Sequence, residues 1–276
     1  TTSKIATVKA VINSAGSLNK FSNKDQFKTS IIDAVHEWED FEDEIKEKKI
    51  ELIYLNKNSL FNSFKKDGFI KSRFAYFYIF FKSFFPLIKI LKEKKPDYLI
   101  IHLITSLPLF LFSFKSFDSK LILRISGLPK MTFFRKFLWK LAVKNIYKIT
   151  CPTTATYTNL SKYEFLREKL CVLNDPILNI NEIQKIKNID FDISKNIKHN
   201  ILNKKYLLSI GRFTKQKNYL YYLDCIPEIL KLDKELYFLF IGHGEDKKKF
   251  LKISKELNVS DRIFIIDHTK NVHYFM

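Results

Sequence analysis

Two short segments of this 276-residue chain place glycine within a few residues of lysine or arginine where an apolar run gives way to helical spacing. In LLSIGRFTKQKN (207–218) the run ends at Gly211-Arg212, and Lys217 stands where a helix begins. Glycine lets backbone turn tightly and come close to a ligand. A helix amino terminus offers free N–H groups and positive potential, and Arg212 with Lys217 adds two cations suited to a diphosphate. A surface loop sharing the chain's general lysine excess has the same composition; the strand-to-helix junction favours the phosphate reading. In FLFIGHGEDKKKF (238–250), Gly242 and Gly244 again follow a strand and precede a helix. A GxG alone is also what a plain tight turn needs, so its value lies in being the next strand end beside the first. His102 closes the apolar run of KPDYLIIH, a place that also suits a histidine capping a strand. Arg124, Ser126 and Gly127 lie at a further strand end, and Gly16 lies in an early turn. The other histidines form no metal-ligand spacing with Asp or Cys, and no Walker loop, nucleophile elbow or kinase signature is present.

The elements that must position these residues alternate. Residues 8–12 read as a first strand, 13–17 as the turn holding Gly16, 25–49 as helical, 50–55 as a strand and 56–70 as loop. A helix over 72–94 leads to a strand at 98–101. Helices at 106–114, 130–144 and 156–169 then alternate with strands at 120–125, 146–151 and 170–173. Residues 178–205 are polar, rich in Asn and Lys and weakly patterned, which predicts a linker. A second series follows: strands at 206–210, 236–241 and 262–266 around helices at 218–232 and 246–257, with Pro227 inside the first helix. Alternation of this kind means parallel sheets covered on both faces, with ligands at the carboxyl ends of the strands. The expected organisation is a domain over 1–177, a linker over 178–205 and a domain over 206–276, the last reading as cut short after three strands.

The formal charge is +19, from 48 Lys and Arg against 29 Asp and Glu. Dense basic charge suits a phosphate backbone, but the lysines are spread along the chain and accompany an Ile, Asn and Phe excess, so nucleic acid is not expected as a partner. An anionic membrane surface or a phosphorylated substrate accounts for the charge as well. Cys151, Cys171 and Cys225 are few and far apart, which argues against disulfide or zinc scaffolds and for a cytoplasmic setting. The apolar runs 74–90 and 98–114 are interrupted by Lys82 and Pro86, and by His102 and Pro108, and read as buried or interfacial elements instead of membrane spans.

The order GR-x4-K, helix, strand-GxG, helix, strand RIFIIDHTKN resembles the donor-binding domain of retaining glycosyltransferases of family 4. Upstream, KPDYLIIHLITSLPL, RISGLPK, ITCPTTATYTNL and VLNDPI resemble the amino-terminal domain of members acting on bacterial surface polysaccharide, so the resemblance covers roughly 72–276. It implies the GT-B fold: two Rossmann-like doubly wound parallel-sheet domains, the second incomplete here. It implies transfer of a sugar, with retention, from a donor such as a UDP- or GDP-sugar to a glycan or lipid-linked acceptor, in lipopolysaccharide or polysaccharide synthesis. The enzyme would sit in the cytoplasm or peripherally on the inner membrane face and need no metal or cofactor. Arg212 and Lys217 would hold the donor diphosphate with Gly211, Gly242 and Gly244, and His102 on the opposite domain would meet the transferred sugar as the cleft closes. Residues 265–268, with Ile266 and His268, would line the base pocket, and Gly16, Arg124, Ser126 and Gly127 would face the acceptor. Asp267 stands where the family usually has Gly, and the family's Glu-x7-Glu element is expected beyond Met276, so this chain is expected to bind donor poorly. Two other readings stay open: an inactive remnant of such an enzyme, and a basic nucleic-acid-binding protein.

Overall fold

In a computed structural model of the chain, residues 6–21, 27–36, 38–58, 69–102, 106–176, 180–187, 201, 203–267, 269 and 271–276 are described. The chain divides into two compact units, Thr1–Ile177 and Leu178–Met276.

In the first unit α1 (Ala6–Phe21) precedes β1 (Ser30–Asp33), α2 (Glu42–Glu47) and β2 (Glu51–Tyr54), and β1 pairs with β2 in parallel. After α3 (Phe69–Glu93) come β3 (Tyr98–Ile101), α4 (Ser106–Phe114), β4 (Lys120–Arg124), α5 (Phe133–Ala142), β5 (Ile146–Cys151), α6 (Thr154–Leu160) and β6 (Leu170–Val172). Strands β3 to β6 make one parallel sheet in sequence order. Leu121, Leu123, Ile149 and Cys151 from its centre are buried with Leu107, Leu111 and Phe112 of α4 and Trp139 of α5. Each such side chain contributes on the order of 2 kcal/mol by leaving water, which is why short, near-continuous apolar runs make central strands here.

The second unit holds α7 (Ile180–Lys187), β7 (Tyr206–Ile210), α8 (Tyr219–Leu232), β8 (Tyr237–Ile241), α9 (Lys247–Glu256) and β9 (Ile263–Ile266), with a parallel sheet ordered β7-β8-β9. Alternation along β8 splits its side chains between two cores. Phe238 and Phe240 join Phe213, Tyr219, Leu223 and Phe250, while Leu239 and Ile241 join Ile201, Ile266 and Phe275. Ile210 pairs with Ile241 and Ile241 with Ile266, so the three strands end level with one another.

Three expectations are corrected. Residues 8–12 are not a strand but part of α1, and Gly16 lies inside that helix, not in a turn. The β-branched residues suggest a strand, yet Val8, Val11, Ile12 and Ala15 recur at helical spacing and bury one face. The helix expected over 25–49 contains β1 instead; Asp33 ends that strand by accepting N–H groups of Val35, His36 and Trp38 at 2.9–3.0 Å, which turns the chain toward α2. The segment 178–205 carries α7, which packs on the final 3-10 turn Val272–Phe275, and Ile201 is buried in the same core. Residues 59–68 of the expected loop lie outside the described residues.

Candidate active site

The level strand ends of the second unit gather Gly211, Gly242 and Asp267 into one row. Gly211 N–H donates to the Ile241 carbonyl at 2.9 Å, and Gly242 N–H to the Ile266 carbonyl at 2.8 Å, so the ladder runs one residue into each loop. The loop after β7 is pinned by Phe213, whose ring is fully buried against Tyr219 and Phe250 with centroids 4.9 and 5.1 Å away. Its N–H donates to the His243 carbonyl at 2.9 Å and its carbonyl accepts from Asp246 N–H at 3.0 Å. The two loops approach so closely that a Cβ on Gly242 would lie 1.8 Å from the Gly211 carbonyl oxygen, and one on Gly244 2.3 Å from the Phe213 oxygen. Loop-to-loop packing therefore demands both glycines, and the GxG is what lets the two strand-end loops form one surface.

Lys217 folds back over that surface. A Cβ on Gly211 would meet Lys217 Cε at 3.6 Å and the Tyr219 hydroxyl at 2.8 Å. Lys217 N–H and Asn218 N–H both donate to the Thr214 carbonyl, and Asn218 takes the left-handed conformation (φ 52°) that starts α8. Arg212 and Lys217 are exposed, and neither has a carboxylate partner among the described residues. Two uncompensated cations thus stand at the carboxyl end of a parallel sheet, beside a helix amino terminus, as anion binding requires. Asp267 is ion-paired with Lys247 across the neighbouring loop. Ile266 has its side chain in the core and its carbonyl engaged by Gly242 N–H; His268 lies outside the described residues.

In the first unit Ile101 pairs with Leu123, which sets His102 beside Arg124 at adjacent strand ends. Burial first, then the Arg124 cation, holds the His102 imidazole down to about 3, so it is neutral at pH 7. Its buried Nδ1 has no hydrogen-bond partner among the described residues. Arg124 was expected to face an acceptor, but it is only 4% exposed and its guanidinium is ion-paired with Asp175. Asp175 lies in a segment that the fold ties down at three points: by Arg124, by Leu173 N–H donating to the Cys151 carbonyl at 2.9 Å, and by Asn13 Nδ2 donating to the Pro176 carbonyl at 2.9 Å. Ser126 and Gly127 are exposed just beyond β4, and a Cβ on Gly127 would meet nothing within 4 Å. Gly16 joins none of these residues; it packs against the Lys48 side chain. Sequence reasoning missed Asp175 and Tyr219. The first lies in VLNDPI, a segment that carries the resemblance but gives no sign of which residue Asp175 would meet, and the second is indistinguishable in sequence from any helix-start tyrosine.

Residues 190–276 match the family described as Glycosyl transferases group 1. An uncharacterized glycosyltransferase of Methanocaldococcus jannaschii is 24% identical over 211 residues, which is 71% of this chain and 51% of that protein. The chain therefore spans about half the length of this curated relative. Among solved structures, a glycosyltransferase from Rickettsia africae superposes with a TM-score of 0.61 at 14% identity, covering 98% of this chain and 65% of that one. HepE of Anabaena, solved with UDP-glucose, gives 0.64 at 11% identity, covering 99% and 69%. At such identities the likeness carries the fold alone. By fold the chain is a GT-B protein of two Rossmann-like, parallel-sheet units, and its carboxyl-terminal third matches the group 1 glycosyltransferases.

Proposed function

We propose that the chain is a glycosyltransferase that moves a sugar from a nucleoside diphosphate donor, with retention, to a glycan or lipid-linked acceptor of bacterial surface polysaccharide or lipopolysaccharide synthesis. The observation that carries this reading is the pair of cations, Arg212 and Lys217, with no carboxylate partner among the described residues, on the Gly211 loop at the level ends of a parallel sheet, within the region matching the family. As the bond from the sugar's anomeric carbon to the β-phosphate oxygen breaks, negative charge develops on the diphosphate. Two cations at that point stabilise the transition state more than the ground state. The acceptor hydroxyl oxygen bonds to the anomeric carbon as the bond to the β-phosphate oxygen breaks, its proton passes to the departing diphosphate oxygen, and the nucleoside diphosphate leaves. In this reading side-chain cations do the work of charge neutralisation and no metal ion is required. His102, neutral at working pH, is suited to hydrogen-bonding a sugar hydroxyl instead of shuttling a proton. Ser126 and Gly127, exposed at the next strand end, are the acceptor-side residues of the proposal, which places the enzyme in the cytoplasm.

Titration with UDP, GDP and duplex DNA tests it. The proposal expects one nucleoside diphosphate to bind, however weakly, at a concentration below that at which DNA binds. Salt-steep DNA binding with no response to either nucleotide overturns it in favour of a nucleic-acid-binding protein.

A further inference from the structure

Helix α3 carries two opposed stripes. Ala75, Ile79, Ser83, Leu87 and Leu91, four residues apart throughout, are buried, and the Ser83 hydroxyl donates to the Ala34 carbonyl at 3.2 Å. Phe74, Phe77, Phe81 and Phe85 recur at spacings of three and four on another face, and all four are well exposed, Phe85 at 75%. That face runs on into Lys89 and Lys92, with Lys82 at its flank. The aromatic surface continues onto α4: the Phe84 ring lies 5.2 Å from Phe85 and 6.4 Å from Phe110, which lies 4.9 Å from the exposed Phe114. Residues Phe74–Glu93 are long and apolar enough to cross a membrane by length and composition, and only 28% of that stretch is buried. The buried stripe nonetheless anchors the helix to the rest of the unit, so it cannot leave the protein to span a bilayer without stripping its own core.

We infer that the Phe77/Phe81/Phe85 face of α3, with Phe110 and Phe114 of α4, is an interfacial docking surface for an anionic lipid bilayer. Contiguous exposed aromatic surface of this size marks an interaction site. Aromatic rings entering the acyl boundary, with lysines reaching the headgroups beside them, are the chemistry of interfacial helices. Charge selects the occupant. Lys82 and Lys92 have no acidic partner among the described residues, Glu93 is the one acid of the helix, and the chain as a whole carries +19. A second copy of a chain this basic would set those lysines against each other, whereas an anionic leaflet attracts them. The inference does not depend on the donor reading, since docking is scored without nucleotide.

The test is flotation of the purified chain with vesicles of phosphatidylcholine alone and of phosphatidylcholine mixed with phosphatidylglycerol. Wild type is expected to float with the mixed vesicles and poorly with the neutral ones. The F77S/F81S/F85S variant should lose roughly a hundredfold in vesicle affinity, and K82E/K92E roughly thirtyfold or more. K248E/K249E, the same charge change at exposed lysines of α9, should stay within about threefold of wild type if docking belongs to this face and not to net charge. F81W should show a blue-shifted emission on adding mixed vesicles, against a background of two buried tryptophans, Trp38 and Trp139. Unchanged melting of each variant shows that its fold is intact. Wild type that does not float, a triple phenylalanine variant that floats as well as wild type, F81W emission that does not move, or a lipid-independent dimer lost in the triple variant would each overturn the inference.

Discussion

Replacing Asp175 by alanine should destabilise the first unit more than any other change at a residue touching so little of the apolar core. Arg124 ends β4 with its side chain 5% exposed, and Asp175 faces it with 21% exposed. Removing one member of a buried pair leaves the other charge uncompensated and costs about 3–5 kcal/mol. Because water reaches the Asp175 side, the lower end applies, about 3 kcal/mol. With a urea dependence of about 2 kcal/mol/M, the midpoint should fall by roughly 1.5 M. Both tryptophans, Trp38 and Trp139, belong to the first unit, so urea unfolding followed by tryptophan fluorescence reports on this unit alone. Replacing both members with apolar residues (R124M/D175L) removes the stranded charge and should recover most of the loss. A D175A midpoint within about 0.25 M of wild type would refute the reasoning, and so would a double variant no more stable than D175A.

Two further predictions concern the strand ends. Gly242→Ala forces a Cβ to 1.8 Å from the Gly211 carbonyl oxygen at a φ of +154°; a cost of about 3 kcal/mol or more is expected in the second unit. Hydrogen exchange should show lost protection at Gly211 and Phe213, and unchanged protection would contradict the packing. His102 has its pKa lowered from 6.5 to about 3, so between those values the unfolded chain binds a proton that the native one does not. Its contribution is complete above pH 6.5 and is lost as pH falls toward 3, with a slope of at most about 1.4 kcal/mol per pH unit. His102→Gln should flatten the pH dependence of first-unit stability by that slope between pH 4.5 and 6.5, and identical slopes would show that His102 is not held neutral.

Much of this architecture is legible in the chain because the central strands β4, β5 and β8 are largely buried. Runs such as FLFIG and KLILR stand out against a lysine-rich background, and the alternation that locates them also locates the strand ends where Gly211, Gly242, His102 and Arg124 sit. The amino-terminal region was harder. Three of residues 8–12 (Val8, Val11 and Ile12) are β-branched, as a strand would favour, and only their burial at helical spacing decides otherwise, while β1 is four residues inside a stretch with helical spacing. Long-range pairing was not legible: Arg124 meets Asp175 across 51 residues, and a sequence offers many acids to any arginine. The glycine motif was found for its freedom to approach a ligand, yet its first requirement is the approach of one loop to another.

The most direct test compares the affinity of a nucleoside diphosphate with that of its nucleoside, in wild type and in R212A/K217A, for whichever of UDP or GDP wild type binds more tightly. Charge-assisted hydrogen bonds contribute about 1.5–3 kcal/mol each. The diphosphate's advantage over the nucleoside should therefore shrink roughly a hundredfold or more in the double variant, with nucleoside affinity and melting unchanged. An advantage that survives loss of both cations would mean that the Gly211 loop does not hold the diphosphate, and the proposed site would be wrong.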